Sequence, residues 1–200
     1  EYERLVRLLV GMGIRKVRVT GGEPLVRAGV EDFIARLKVL GVEDLSMTTN
    51  AYLLAERCET LTAAGLDRIN ISLDSLEREK FERVTRSRSF EQVMAGIEAA
   101  QKSRLRPVKV NAVLDPGTGR EDGVGRLRFC LEHGYQLRVI EQMPLDAGHQ
   151  WRRDAALSAD DVLAALRLHF RLRPDPAPRG SAPAELWLVD TGPGTPSGKF

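Results

Sequence analysis

The chain has 200 residues, with 30 Lys and Arg against 28 Asp and Glu, which gives a formal net charge of +2. Hydrophobic residues make up 42% and charged residues 29% of it, so a core can form; this excludes a wholly disordered chain and a collagen-like fibre. No apolar run approaches the roughly 18 residues of a membrane span, and the near-neutral charge does not indicate wholesale nucleic-acid binding. We expect a soluble, cytoplasmic protein whose partners include neither nucleic acid nor membrane.

Helix-patterned residues stand at the very start of the chain, which begins at Glu1 rather than at Met. The apolar members of this pattern are Leu5, Val6, Leu8 and Leu9. The chain ends at Phe200, where a strand could be starting. We therefore expect a fragment of a longer protein.

A helix-period stretch, a glycine and a short β-branched run repeat along the chain. Glycine just past a helix end usually forms a left-handed cap because it has no Cβ to clash there; the glycines in this position are Gly13, Gly41, Gly65 and Gly134. Strands that alternate with helices predict βα units and a parallel sheet. We predict five strands, at about residues 15–20, 44–49, 68–73, 107–113 and 136–141.

The repeating pattern stops after residue 141. One further amphipathic helix is predicted from Ser158 to about Phe170, with Ser158 as its N-cap and acidic residues in the first turn. Six of the ten prolines follow Arg171. We expect a core domain over residues 1–170 and a Pro/Gly-rich C-terminal segment over 171–200, a linker or tail with one strand at ELWLV.

The predicted strands alternate between apolar and polar positions, so each has one apolar and one polar face. The apolar positions are Val17, Val19, Leu45, Met47, Ile69, Ile71, Val108, Val110, Leu137 and Val139. The polar positions are Arg18, Thr20, Ser46, Thr48, Asn50, Asn70, Ser72, Asp74, Lys109, Asn111 and Arg138. Parallel sheets seldom leave a face bare, so we favour an α/β fold, a partial (β/α) TIM-like barrel with helices outside and a ligand-lined lumen, over a flat sheet with one solvated face.

Three cations, Arg18, Lys109 and Arg138, are predicted to face inward from three different strands. Buried cations need partners because an uncompensated charge is costly away from water. Internal carboxylates could neutralise them, and the candidates are Asp74, Glu23 and Glu141. A phosphate-bearing ligand could do so equally well, since Arg and Lys commonly bind phosphate; the spacing leaves both readings open.

Five motifs follow one another along the strands, namely RVTGGEPLVR, MTTN, INISLDSL, VKVNAV and RVIEQMP. Together they resemble the radical S-adenosylmethionine (SAM) GTP 3′,8-cyclase family of molybdenum-cofactor biosynthesis, from Gly11 to about His169. The resemblance implies a lyase that uses SAM to rearrange GTP. In that family reductive cleavage of SAM gives a 5′-deoxyadenosyl radical, which takes hydrogen from the GTP ribose before the ribose carbon attacks the guanine ring.

The resemblance also implies roles for individual residues, although it assigns no catalytic residue in this chain. The implied SAM contacts are Gly22, Ser72, Met143 and Arg138. The implied GTP contacts are Arg18, Thr48 and Lys109, with Arg18 and Lys109 serving the phosphates. The strand-borne members lie on the polar face or at a strand's carboxyl end, where barrel enzymes place their sites.

The chain departs from the family in its cysteines. The family holds a catalytic [4Fe–4S] cluster with CxxxCxxC, and a second [4Fe–4S] cluster with three later cysteines; neither set occurs here. Cys58 and Cys130 fall on predicted helices, and we expect both to be buried apolar residues with no metal role. The isolated chain is therefore expected to be inactive as a cyclase. A homodimer is a separate expectation for this chain.

Two other readings of the sequence stay open at this point. The chain could be an inactive or nucleotide-binding remnant of this fold. It could also be an ordinary (β/α) barrel lyase that uses Lys109 as a Schiff-base amine. His149 falls in the loop after the last predicted strand, where a structural or capping role is favoured over catalysis.

Overall fold

The computed structural model describes residues 1–143, 152, 156–177, 184–192 and 197–200. In these ranges the α-helices are α1 (Tyr2–Gly11), α2 (Val30–Val39), α3 (Leu54–Ala63), α4 (Arg78–Thr85), α5 (Phe90–Lys102), α6 (Gly119–His133) and α7 (Ala159–Arg167). The strands are β1 (Lys16–Val19), β2 (Asp44–Thr49), β3 (Arg68–Ser72), β4 (Val108–Val113), β5 (Gln136–Ile140), β6 (Arg171–Pro174), β7 (Trp187–Asp190) and β8 (Gly198–Lys199). None of the helices described is both long enough and apolar enough to cross a membrane.

The first five strands form one sheet in the order β1-β2-β3-β4-β5. β1 pairs parallel with β2, and β2 pairs parallel with β3. Each of the five predicted strands is confirmed to within one residue at both ends. All four glycines between helix and strand have positive φ, between 71° and 101°, as a left-handed cap requires.

Contacts divide the chain into two compact units. The first contains residues 1–73 and 77–109, and the second contains residues 74–76 and 110–200. The first unit therefore holds β1 to β3, the helices α1 to α5 and the start of β4. The second holds the rest of β4, α6, β5, α7 and the three C-terminal strands.

The apolar face of the first unit is buried as the alternation predicts. Leu45, Met47, Ile69 and Ile71 are all 0% exposed. Val17 and Val19 on β1 are half-buried, because β1 is the edge strand of the sheet. Helices supply the other side of this core through fully buried side chains, which include Ile34, Leu37, Leu54, Leu61 and Ile97. The apolar faces of the helices thus pack against the apolar face of the strands.

The second unit confirms Ser158 as the N-cap of α7. The Ser158 hydroxyl accepts from the Asp161 backbone N–H at 3.2 Å, and the Asp161 carboxylate accepts from the Ser158 N–H at 3.1 Å, which completes a capping box. The helix ends at Arg167, three residues earlier than predicted. Phe170, the predicted end, is buried beyond the helix.

The C-terminal segment contains more sheet than the sequence predicted. β7 covers most of the predicted ELWLV strand, and it pairs antiparallel with both β6 and β8. The expectation of a single strand within a linker or tail was therefore wrong. β6 (RLRP) contains a single apolar residue before Pro174, and β8 has only two residues, so neither shows a repeated apolar position by which a strand is recognised.

The capping box of α7 makes a pH-dependent contribution to stability. Hydrogen bonds from the Ser158 hydroxyl and from Arg120 lower the pKa of Asp161 from 3.8 to about 2. A carboxyl whose pKa is lowered by folding stabilises the fold above its unfolded pKa, and this contribution is lost as pH falls through the folded value. Asp161→Asn is therefore expected to lower the urea midpoint at neutral pH, and the difference from wild type is expected to shrink between pH 4 and about pH 2.

Asp160→Asn is the matched control, because Asp160 lies in the same helical turn but outside the capping box. A gap between wild type and Asp161→Asn that stays constant down to pH 2 would contradict the assigned role.

Candidate functional site

The loop after β1 presents open backbone at the carboxyl end of the strand. Gly21 has φ +139°, a conformation that side-chain-bearing residues rarely adopt. A Cβ built on Gly22 meets no atom of the described residues within 4 Å, and Gly22 is exposed. Pro24 and Leu25 follow in a 3-10 helix (Pro24–Val26), and their buried side chains anchor the loop. The glycines are thus held in place while their outer surface stays accessible.

Glu23 joins this loop to the end of β2. One carboxylate oxygen accepts from the Leu25 N–H at 3.0 Å and from the Thr49 hydroxyl at 2.7 Å. The other accepts from the Asn50 N–H at 2.7 Å. Both oxygens of the GGEP glutamate therefore hold neighbouring backbone and a threonine, so its observed role is to organise the loop.

The polar parity of the first unit lies on one face of the sheet. Arg18 is the register partner of Ser46, and Thr48 is the partner of Asn70. Ser46 and Asn70 are buried, at 3% and 4% exposure, and both donate to strand carbonyls. Arg18 is exposed and has no ion-pair partner among the residues described. The structure thus brings Arg18 and Thr48, two predicted GTP contacts, to the same face.

Two more predicted contacts of the first unit share this parity. Ser72 is the last residue of β3 and is exposed. Lys109 is half-buried in β4 and takes part in a contact within the protein. Together with Gly22, these residues stand on the polar positions of the strands or just beyond a carboxyl end.

Two further cations, Lys16 and Arg68, share the parity of Arg18, and neither was predicted to lie on this face. Arg68 is the register partner of Ser46, so it has the same parity as Arg18. Its guanidinium donates to both oxygens of Asp44, at 2.7 Å each. The fork geometry makes this a bidentate ion pair, which neutralises the charge without a ligand. The strand alternation could have placed Arg68 on the polar face, but its pairing with Asp44 depends on the register of β2 and β3.

The second unit holds the remaining predicted residues. Arg138 is half-buried in β5 and Met143 is exposed after it. Glu141 accepts from the Ala159 N–H at 2.7 Å, and Asp74 accepts from the Val113 N–H at 3.0 Å. Each of the three carboxylates considered as counterions thus bonds to backbone N–H groups. His149 lies outside the described residues.

The two cysteines do not fit an iron–sulfur cluster. Both are buried, at 4% and 0% exposure. Burial raises the pKa of the Cys58 thiol, and it raises that of Cys130 to about 12. Iron–sulfur clusters are held by several thiolates that converge on one site, whereas these two side chains are buried on different helices, α3 and α6. No group of three or more candidate ligand side chains occurs in the part of the chain that the structure describes.

A family model matches the first 130 residues of the chain. The family model of the radical SAM superfamily matches residues 1–130, more than half of the chain. The chain belongs to this superfamily. The GGEP loop and the polar faces of β1, β2, β3 and the first part of β4 all fall within the matched residues.

Curated relatives are similar over the whole chain. The GTP 3′,8-cyclase 2 of Mycobacterium tuberculosis is 61% identical over 202 residues, which covers 100% of this chain and 56% of that protein. The GTP 3′,8-cyclase of Mycobacterium marinum is 60% identical with the same coverage. The chain therefore spans about half the length of the curated relatives it matches.

Two solved structures share the fold. SuiB of Streptococcus suis matches with a TM-score of 0.61 and 19% identity, covering 76% of this chain and 35% of that one. Coproporphyrinogen III oxidase of Escherichia coli, described as a radical SAM enzyme, matches with a TM-score of 0.55 and 14% identity, covering 77% and 41%. At these identities the likeness concerns the fold alone, and it confirms the predicted α/β class of radical SAM type.

Proposed function

We propose that this chain is the central part of a radical SAM GTP 3′,8-cyclase, a lyase of molybdenum-cofactor biosynthesis. The observation that carries the proposal is 61% identity over the whole chain to a protein of that name, although the chain covers only 56% of that protein. Arg18 and Thr48 on one polar face, with Gly22 open at the edge, support it. The predicted cytoplasmic location and homodimer stay predictions.

Three residues would bind the substrate GTP. Arg18 and Lys109 would serve the phosphates, because guanidinium and ammonium groups provide several donors to phosphate oxygens. Arg18 is exposed without an ion pair in the described structure, unlike Arg68, whose charge is already neutralised by Asp44. Thr48 is half-buried on the same face and can donate or accept one hydrogen bond.

The residues present also fit SAM. Gly22 leaves room for close approach of a ligand to its backbone, and Ser72 offers an exposed hydroxyl at the end of β3. Arg138 and Met143 belong to the second unit, and their roles toward SAM stay those that the motif resemblance implies. Bound SAM supplies radical chemistry in this superfamily. The chain's own contribution is to bind and orient the ligands, since protein groups position a cofactor while the cofactor does the difficult chemistry.

The two [4Fe–4S] clusters of the family find no ligands in this chain, because Cys58 and Cys130 are buried thiols on helices. Determining the gene sequence on both sides of these residues tests the assignment directly. CxxxCxxC upstream and three cysteines downstream would identify the parent as a cyclase. A start codon and a stop codon at the two ends would leave a remnant in which only binding needs explanation.

Loss of either proposed phosphate contact is expected to weaken GTP binding. We expect Lys109→Ala and Arg18→Ala each to raise the Kd for GTP by about tenfold or more in the full-length protein, because a hydrogen bond to a charged group contributes about 1.5–3 kcal/mol. Calorimetry with GTP measures this directly. Lys102→Ala is the control, since Lys102 is 73% exposed and, among the described residues, forms its ion pair within its own helix with Glu98.

An unchanged Kd for GTP in Lys109→Ala would refute its phosphate contact. The Lys109 lyase is tested on the same protein by borohydride reduction in the presence of small carbonyl compounds. A covalent adduct at Lys109 would favour the lyase over the cyclase, because borohydride traps the Schiff base of such an amine.

A further inference from the structure

Glu23 occupies the junction of two loops in the first unit. It accepts one hydrogen bond from its own loop, at the Leu25 N–H, and two from the end of β2, at the Thr49 hydroxyl and the Asn50 N–H. Leu25 is 1% and Thr49 is 2% exposed, so two of the three donors come from buried residues. The carboxylate is thus the direct link between the glycine loop after β1 and the turn after β2.

The turn after β2 contains a residue with an unusual backbone conformation, and it is connected to the Glu23 carboxylate by hydrogen bonds through Thr49. Ala51 has φ +63° although it is not glycine, and it is completely buried. Its N–H donates to the Thr49 hydroxyl oxygen at 3.0 Å, while that hydroxyl donates to Glu23. Such a conformation persists only where its surroundings hold it. Thr49 therefore relays the position of Glu23 to Ala51.

The two ends of this hydrogen-bonded relay adjoin different proposed ligands. Gly22, the proposed SAM contact, directly precedes Glu23, while Thr48, the proposed GTP contact, directly precedes Thr49. A ligand that orders one loop would order the other through the two hydrogen bonds that join them, from the Thr49 hydroxyl and the Asn50 N–H to Glu23. Binding of the first ligand would already include the conformational entropy cost of ordering both loops. The second ligand would not bear that cost, so it would bind more tightly.

We propose that Glu23 is a positioning residue that couples the two ligand sites, so that SAM and GTP bind with positive cooperativity through Glu23 and Thr49. The inference rests on the proposed function, because it takes the identity of both ligands from it. It adds a role for two residues that touch neither ligand in the proposed assignment. By linkage, the factor by which GTP tightens SAM binding equals the factor by which SAM tightens GTP binding.

The test compares ligand affinities in full-length protein without a reductant, so that no turnover occurs. Calorimetry measures the Kd for SAM with and without saturating GTP. The wild type is expected to bind SAM about fivefold or more tightly when GTP is present, the lower end of typical coupling. Thr49→Val keeps the shape of the side chain but removes the hydroxyl, and is expected to lower this ratio, because one of the two hydrogen bonds between the loops is lost. Thr49→Ser keeps the hydroxyl and is expected to retain the coupling.

Glu23→Gln is the second variant, and it guards against misfolding of the threonine variant. A glutamine oxygen can still accept from Leu25 and Thr49, but its NH₂ group faces the Asn50 N–H, which then has no acceptor. We expect a reduced ratio in this variant and faster hydrogen exchange at the Asn50 amide. Glu43→Gln is the control, because the Glu43 side chain is 72% exposed and pairs with Arg15.

The outcomes separate the inference from the proposed function. A wild-type protein that binds neither SAM nor GTP would overturn both. Binding of both ligands with a ratio of one in the wild type would overturn the coupling and leave the function intact. A wild-type ratio in folded Thr49→Val or Glu23→Gln would likewise overturn the coupling and leave the proposed function intact. A lower ratio in these variants and a wild-type ratio in Thr49→Ser and Glu43→Gln would support the inference.

Discussion

Replacement of Gly96 by alanine is expected to lower the free energy of unfolding by about 1–3 kcal/mol. Gly96 is buried in α5, and a Cβ added there would lie 2.3 Å from the Ala51 carbonyl oxygen and 3.1 Å from the Leu54 Cβ. Backbone oxygen cannot move aside as a flexible side chain can. Helix propensity alone would favour alanine by about 0.5–1 kcal/mol, so the sign of the change shows which effect dominates. Urea unfolding measures it.

Gly125→Ala provides the matched control. Gly125 is also a helical glycine, in α6, but it is exposed and an added Cβ meets nothing within 4 Å. We expect this variant to be stabilised by up to about 1 kcal/mol, as propensity predicts. Stabilisation of Gly96→Ala by the same amount would contradict the close approach of α5 to the turn after β2.

The contact between Gly96 and Ala51 also bears on the candidate site. On one side, α5 packs closely against the buried turn after β2 at Gly96. On the other side, hydrogen bonds connect the turn to Thr49 and, through Thr49, to Glu23. A rigid turn at that point fixes where β2 ends, and therefore where Thr48 stands on the polar face. Packing far from the ligands thus contributes to the geometry of the proposed GTP contact.

Alternation in the strands was readable from the sequence. The apolar positions Met47 and Ile69 are completely buried, and the polar positions Ser46 and Thr48 lie on the other face. Period-two alternation follows directly from strand geometry, so strand boundaries could be placed to within one residue. The N-cap at Ser158 was readable for a similar reason, because a cap depends on residues within one helical turn.

Features that depend on tertiary contacts could not be read in this way. Glu23 was considered as a counterion for an inward-facing cation, whereas its partners lie 26 and 27 positions away at the end of β2. The ion pair of Asp44 and Arg68 joins two strands and needs the register to be known. β6 has only one apolar residue and β8 has only two residues, so neither repeats an apolar position. Sequence spacing alone does not contain these distances.

The alternation of polar and apolar residues in the strands was not sufficient to assign ligands to the candidate site. Strand parity placed Arg18, Thr48 and Lys109 on the polar face, but it could not distinguish a phosphate from an internal carboxylate as their partner. The GTP and SAM roles came from the resemblance of the motifs, and these roles stay proposals. Structure contributes the contrast between Arg68, which is paired with Asp44, and Arg18, which has no ion-pair partner among the described residues.

Ile71 and Ser72 are adjacent in β3, and their substitutions are expected to separate effects on folding stability from effects on SAM binding. Ile71 is completely buried, so Ile71→Ala is expected to lower the free energy of unfolding by about 2–5 kcal/mol, as core truncations do. Ser72 is exposed at the strand end, so Ser72→Ala is expected to change stability by less than about 0.5 kcal/mol. Urea unfolding of the two variants, which differ by one position, measures the asymmetry.

Binding should show the opposite order. If Ser72 contacts SAM, loss of one neutral hydrogen bond, about 0.5–1.5 kcal/mol, should weaken SAM binding about twofold to tenfold in Ser72→Ala. Folded Ile71→Ala, whose altered side chain faces the core, should bind SAM as wild type does. Equal stability losses in the two variants would contradict the assignment of faces. Unchanged SAM binding in Ser72→Ala would leave the faces intact and remove Ser72 from the proposed site.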